Sequence, residues 1–304
     1  RISYNDDMTE LDLTALEEVG SYLQVNYNTD LVTLTGLDQL TRIDSYLNFT
    51  SNTDLESDLL FDQLEEVGTY IQIYNNDSIE AVEFPSLVDL GTYFYIQYND
   101  DLIDLDMGQL EEINGALSIY DNPALETIAG SSDIETVNSW MNISYNDSLS
   151  ADVDFSALTE TSSYLYFQYN YDAPALYLSA LETVGGTLYL AYNNDLETLD
   201  LGNLASVSGN FYVYYNNALT SMTGTESLEW VNGYLQVSYH DLLAQDLDFS
   251  SLNEVDNYVT ITYNDGITGL DLSALDSIGG SIQVIDNDDP VSYTHLRAHE
   301  TTVY

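Results

Sequence analysis

The sequence predicts an all-β chain wound as a right-handed β-solenoid of about 13 coils of 23 to 24 residues. Three observations predict it. An Asn returns at that interval along almost the whole 304-residue chain: Asn5, Asn28, Asn52, Asn76, Asn99, Asn122, Asn146, Asn170, Asn193, Asn216, Asn264 and Asn287, with His240 in the one substituted slot. Apolar residues alternate with polar or aromatic ones just before each Asn. A unit this short cannot bury its own apolar face, so a period in the twenties implies coils that stack on one another. Parallel strands joined by such crossovers take the right-handed course.

The strand comes first in each coil. Positions five and three before the Asn are apolar in every coil, as in Leu23/Val25, Ile71/Ile73 and Phe211/Val213. Period-two alternation of this kind marks a strand with one buried face. The Asn follows at a bend, where its side-chain amide can satisfy backbone groups that lack a strand partner. Three residues later a second apolar column begins with Leu31, Leu55 and Ile79. Segments such as Leu11-Asp-Leu13, with Leu16 and Val19, supply the remaining walls, and Gly20, Gly68, Gly91 or Gly279 marks a corner. At about 4.8 Å per coil the rod is on the order of 60 Å long.

A longer period lies above the coil. Ladder spacings of 23, 24, 24 and 23 recur three times, giving a 94-residue unit, and the text repeats with them: DLLFDQLEEV from Asp58, DVDFSALTET from Asp152, DLDFSSLNEV from Asp246. Residues 1–290 are therefore expected to be one solenoid domain built from three four-coil blocks, roughly 5–98, 99–192 and 193–287. Residues 291–304 (VSYTHLRAHETTVY) resemble translated sequencing-adapter read-through, so His295, Arg297 and His299 are set aside as a non-native tail. Because Arg1 already lies inside a strand, the chain is expected to be a fragment whose signal peptide and anchor lie elsewhere.

Charge narrows the partners. Fifty-two acidic residues face three basic ones, none of them Lys, for a formal net charge of -49. Nucleic acid and anionic membrane surfaces need Lys and Arg to neutralise phosphate and are excluded as partners on that ground. No apolar run reaches membrane-spanning length. A chain this acidic repels itself and is expected in a saline or calcium-containing setting. Zero Cys removes disulfides and a thiol nucleophile.

The pattern Leu-x-Val-x-x-Asn-x-x-Leu followed by spaced Leu and a Val-Gly corner resembles the receptor L-domain family over roughly residues 2–290. Those are leucine-rich-repeat-like solenoids of growth-factor receptor ectodomains, fungal cell-wall proteins and microbial surface proteins. The resemblance implies an extracellular or cell-surface binding role. The missing Cys and the acidity depart from receptor ectodomains and turn the expectation toward a microbial surface protein.

Candidate binding residues are the outward positions of the strands. Six before the Asn stand Tyr22, Tyr46, Tyr70, Tyr93, Trp140, Tyr164, Tyr234 and Tyr258. Four before it stand Gln24, Gln72, Tyr95, Tyr166, Tyr189, Tyr212 and Gln236, and two before it Tyr214. This face is uncharged in an acidic protein, and aromatic rings beside amides suit a glycan or a protein surface. Tyr also has high strand propensity and stabilises stacked strands, so a purely structural spacer is the alternative. An enzyme ranks below both. His240 has no Cys, Lys or second His within the repeats as partner, and only Arg1 and Arg42 could neutralise an acidic substrate. No cofactor is expected, and Asp-rich turns such as Asn5-Asp6-Asp7 and Asn287-Asp288-Asp289 offer at most weak calcium ligands, without an EF-hand loop. Sequons occur at Asn48, Asn76, Asn142 and Asn146.

Overall fold

A computed structural model describes residues 1–287 and 292–294. Asp288, Asp289 and the tail residues His295, Arg297 and His299 lie outside the described residues. The chain is a β-solenoid. Its principal wall is a 13-stranded sheet running coil by coil from Ile2–Ser3 through Leu23–Asn26 to Ile282–Ile285. All of its pairings are parallel and in register, so that Leu47 lies between Leu23 and Ile71, and Phe49 between Val25 and Ile73. The pleat then sends the apolar pair of each strand inward, as with Ile71 and Ile73, and leaves Gln72 and Tyr74 half-buried outside.

Shorter strands of two or three residues form the other walls. An eight-stranded sheet extends from Glu112–Ile113 to Ser277–Ile278, continuing a four-stranded one that ends at Asp89–Leu90. One apolar core runs the length of the rod, with Leu31, Leu55, Ile79, Phe61 and Phe84 fully buried. Phe61 and Phe84 stack at 4.8 Å, and Phe49 meets Phe61 edge-on. At the Gly68 and Gly91 corners a Cβ would lie 2.1 Å from a carbonyl oxygen of the coil beneath, so close backbone approach is what requires glycine there.

The third wall is segmented. It runs from Glu10–Asp12 to Thr33–Thr35, then restarts at Leu59–Leu60, at Val153–Asp154 and at Leu247–Asp248, these restarts 94 residues apart. Gly36, Gly130 and Gly224 precede these breaks with left-handed φ of 76–88°, and the last two open short 3-10 turns, Ser131–Asp133 and Thr225–Ser227. Side chains bridge two of the gaps: the Leu34 N–H donates to Ser57 Oγ and the Met222 N–H to Gln245 Oε1.

The Asn ladder holds the strand ends together. Asn122 accepts from both the backbone N–H and the Nδ2 of Asn99 on its Oδ1, at 3.2 and 3.0 Å. Its own Nδ2 donates to the Ile96 carbonyl and to Asn146 Oδ1. The same pattern binds Asn28 to Asn52 and Asn52 to Asn76. The interior ladder residues from Asn28 to Asn264 have no exposed surface, so these bonds replace all their contacts with water. Burial also puts the sequons at Asn48, Asn76 and Asn146 out of reach of glycosylation in the folded chain, leaving Asn142 half-exposed.

Candidate binding face

The residue immediately before every ladder position has a left-handed backbone. All thirteen, from Tyr4 to Asp286, have φ between 51 and 62°. Nine are Tyr, a side chain for which this conformation costs on the order of 1–2 kcal/mol. The left-handed corner turns these rings outward into a column of their own. Tyr145, Tyr169, Tyr192, Tyr215, Tyr239 and Tyr263 form one unbroken stack with centroid spacings of 4.2–5.0 Å. The stacks offset part of the backbone cost. Sequence reasoning joined these Tyr residues to the Asn motif and did not count them as surface. The available signal was their replacement by Ser51, Asn75, Asp121 and Asp286, since Asn and Asp tolerate the left-handed region.

A second column stands six residues before the ladder. Tyr22, Tyr46, Tyr70 and Tyr93 stack with centroids 4.5–4.7 Å apart and planes within 13°. Rings packed this closely cover one another's faces, so this part of the column presents edges and hydroxyls. Ala116 breaks the column, and Tyr95 fills the space, stacking on Tyr93 at 4.2 Å and on Trp140 at 5.5 Å.

From there the rings leave this second column and cross the sheet toward the corner column. Trp140 stacks on Tyr164, and Tyr164 lies 4.4 Å from Tyr166. Tyr166 is tilted 54° to Tyr189. Tyr189 meets Tyr212 and Tyr214 nearly perpendicular, at 87° and 82°. Tyr214 then contacts Tyr192 and Tyr215 of the corner column. The structure therefore brings Tyr22, Tyr46, Tyr70, Tyr93, Tyr95, Trp140, Tyr164, Tyr166, Tyr189, Tyr212 and Tyr214 into one network. Tyr234 and Tyr258 pair separately at 5.6 Å. Gln24, Gln72 and Gln236 are half-buried between columns, and Gln72 accepts the Asn48 amide at 2.8 Å. Asn26 and Asn48, outward by alternation, are buried beneath their neighbours.

Burial pushes the Tyr70 hydroxyl up to about 12, helped by the neighbouring Tyr93 and Tyr46. It also raises Tyr95, Tyr164, Tyr212 and Tyr214; Tyr189 rises for the same reason although its contact with the Tyr214 hydroxyl opposes the shift. These hydroxyls stay protonated and able to donate throughout the neutral range.

His240 is fully buried in its ladder slot, its two ring nitrogens 3.2 Å from the Asn216 carbonyl and 3.1 Å from that of Val213. It is a structural substitute for Asn. Among the described residues no group of three or more His, Asp or Glu side chains is placed to hold a metal, and no helix is long and apolar enough to cross a membrane. Searches against family models, curated proteins and solved structures give no match for this chain.

Proposed function

We propose that the chain is a non-enzymatic binding module of an extracellular or cell-surface protein, presenting the ring network to a glycan or to another protein. The observation that carries this is the tilted section from Tyr164 to Tyr215. From Tyr166 to Tyr215 its half-buried rings meet at 54° to 90°, edge against face, so the section sets ring edges and faces at several orientations beside neutral hydroxyls, a combination suited to sugar C–H faces and hydroxyls. The receptor L-domain assignment and the surface location rest on the motif resemblance, and the absence of Cys supports a microbial setting.

A spacer role is favoured for the coils of Tyr22 to Tyr93, where stacking uses up the ring faces. The two readings separate on a glycan array and a pull-down run at low and at seawater-like salt. Replacing Tyr189 and Tyr212 by Ser is expected to weaken a measured affinity at least tenfold, while replacing Tyr22 and Tyr46 leaves it unchanged, with circular dichroism constant in both. Silence at both salt levels overturns the binding reading and leaves the spacer.

A further inference from the structure

The third wall breaks after Thr33–Thr35, after Thr127–Ala129 and after Ser221–Thr223. Equivalent positions recur every 94 residues, so Leu34, Ile128 and Met222 hold one place on the strand before each gap, and Ser57, Ala151 and Gln245 one place in the coil that follows. Gln245 closes its gap with a whole amide. Its Oε1 accepts the Met222 N–H at 3.2 Å, and its Nε2 donates to the Met222 carbonyl at 2.6 Å. Ser57 Oγ accepts the Leu34 N–H alone, at 3.0 Å. Ala151 brings no polar side-chain atom to the middle gap.

The backbone of Ile128 is turned toward that gap. The Thr127 N–H donates to the Ile103 carbonyl and the Ala129 carbonyl accepts the Met107 N–H, both in the preceding coil, so the N–H and C=O of Ile128 between them face the coil that follows. Among the described residues this N–H meets no acceptor, and the carbonyl meets only Ser131 Oγ, at 3.4 Å. Backbone polar groups in such a place call for a partner. Exposure follows the size of the side chain opposite: Ile128 facing Ala151 is 8% exposed, Leu34 facing Ser57 4% and Met222 facing Gln245 2%. The middle gap is the open one.

We propose that this gap is a binding site for a primary carboxamide, the terminal group of a glutamine side chain, held by the N–H and C=O of Ile128. Beyond its Cβ, Gln245 is chemically an acetamide, so the chain itself shows the ligand seated in the equivalent gap. Both bonds fall on one residue, which requires an amide hydrogen cis to the amide oxygen. A primary carboxamide has one, and the trans secondary amide of a peptide or an N-acetyl group does not. A carboxylate has no donor for the Ile128 carbonyl and would stand near Asp152 and near Asp104, to which Thr127 Oγ1 donates. The site lies on the third wall, away from the Tyr network of the principal sheet, and does not rest on the role of those rings.

Amide exchange and amide chemical shifts of the isotope-labelled protein test this, with acetamide as the probe. In the protein alone the Ile128 amide should exchange at least tenfold faster than that of Met222, and acetamide should shift the Ile128 amide saturably. Acetate, and N-methylacetamide with its N–H trans to oxygen, should each bind at least fivefold more weakly. Ala151→Gln should abolish the acetamide response and slow Ile128 exchange, while Gln245→Ala should create a second response at Met222. Each variant carries the residue that the other block holds at that position, so both should fold. Equal exchange of Ile128 and Met222, no saturation, N-methylacetamide binding as well as acetamide, or a response that survives Ala151→Gln overturns the proposal.

Discussion

His240 shows how one buried residue can carry a pH signature. A neutral imidazole donates through one nitrogen only, so one of its two carbonyl neighbours faces a lone pair. Protonation would serve both carbonyls, yet burial outweighs them and holds the pKa down, from 6.5 to about 4. The folded chain therefore binds this proton less readily than the unfolded chain. Stability from this group is fully present above about pH 6.5 and is lost as pH falls toward 4, by about 3 kcal/mol in all. Burial raises Asp77, Asp121 and Asp147, helped by nearby carboxylates, and these act in the opposite sense, gaining stability as pH falls. They are common to wild type and variant and cancel in a difference. His240→Asn should gain about 1 kcal/mol at pH 7, because an amide oxygen can again receive the Asn216 N–H. The advantage of the variant should widen by about 3 kcal/mol between pH 6.5 and 4 in urea midpoints. A constant difference across that range would mean that His240 does not titrate in this window.

The ladder is an element in the same sense as a strand, since each member satisfies groups in the coil on either side. Asn122→Leu removes a side chain that serves the N–H and Nδ2 of Asn99, the Ile96 carbonyl and Asn146 Oδ1. At about 1–3 kcal/mol for a buried group left unpaired, the loss should be on the order of 4 kcal/mol. Gln24→Leu on the outer face should stay within about 0.5 kcal/mol. Equal urea midpoints for the two variants would remove the ladder from the account of stability. This element and the apolar alternation were legible in the sequence because burial dictates residue type: Leu, Val, Ile and Phe inward, Asn where a carbonyl and two N–H groups meet. The ring network was legible only in part. Tyr22 and Tyr189 follow from alternation, but the direction of Tyr27 or Tyr169 depends on the sign of φ, which apolar patterning does not encode. The crossing from one column to the other follows from local vacancies, Ala116, Thr187 and Asn210, whose effect depends on which neighbouring ring leans into them.

At the scale of the whole rod the dominant quantity is charge. Stacking in register repeats an acidic turn at every coil or two, and a formal charge of -49 has few internal cations to oppose it. Two consequences are local: burial with the charges of Asp100 and Asp101 raises Asp77, and burial with those of Asp106, Asp104, Asp62 and Asp58 raises Glu83. The larger one is cumulative. Adjacent coils lie about 4.8 Å apart, inside the roughly 10 Å screening length of 0.1 M salt but beyond the roughly 3 Å length at 1 M. The urea midpoint should therefore rise steadily from 0.05 to 1 M NaCl, with an unchanged slope of free energy against urea, because screening alters repulsion and not the surface exposed on unfolding. Calcium at matched ionic strength should add nothing, since no three acidic groups converge among the described residues. A midpoint higher in calcium than in sodium at equal ionic strength would instead mean that the ion bridges carboxylates of successive coils. The rod would then be held by bound calcium, and chelation at constant ionic strength would lower its stability.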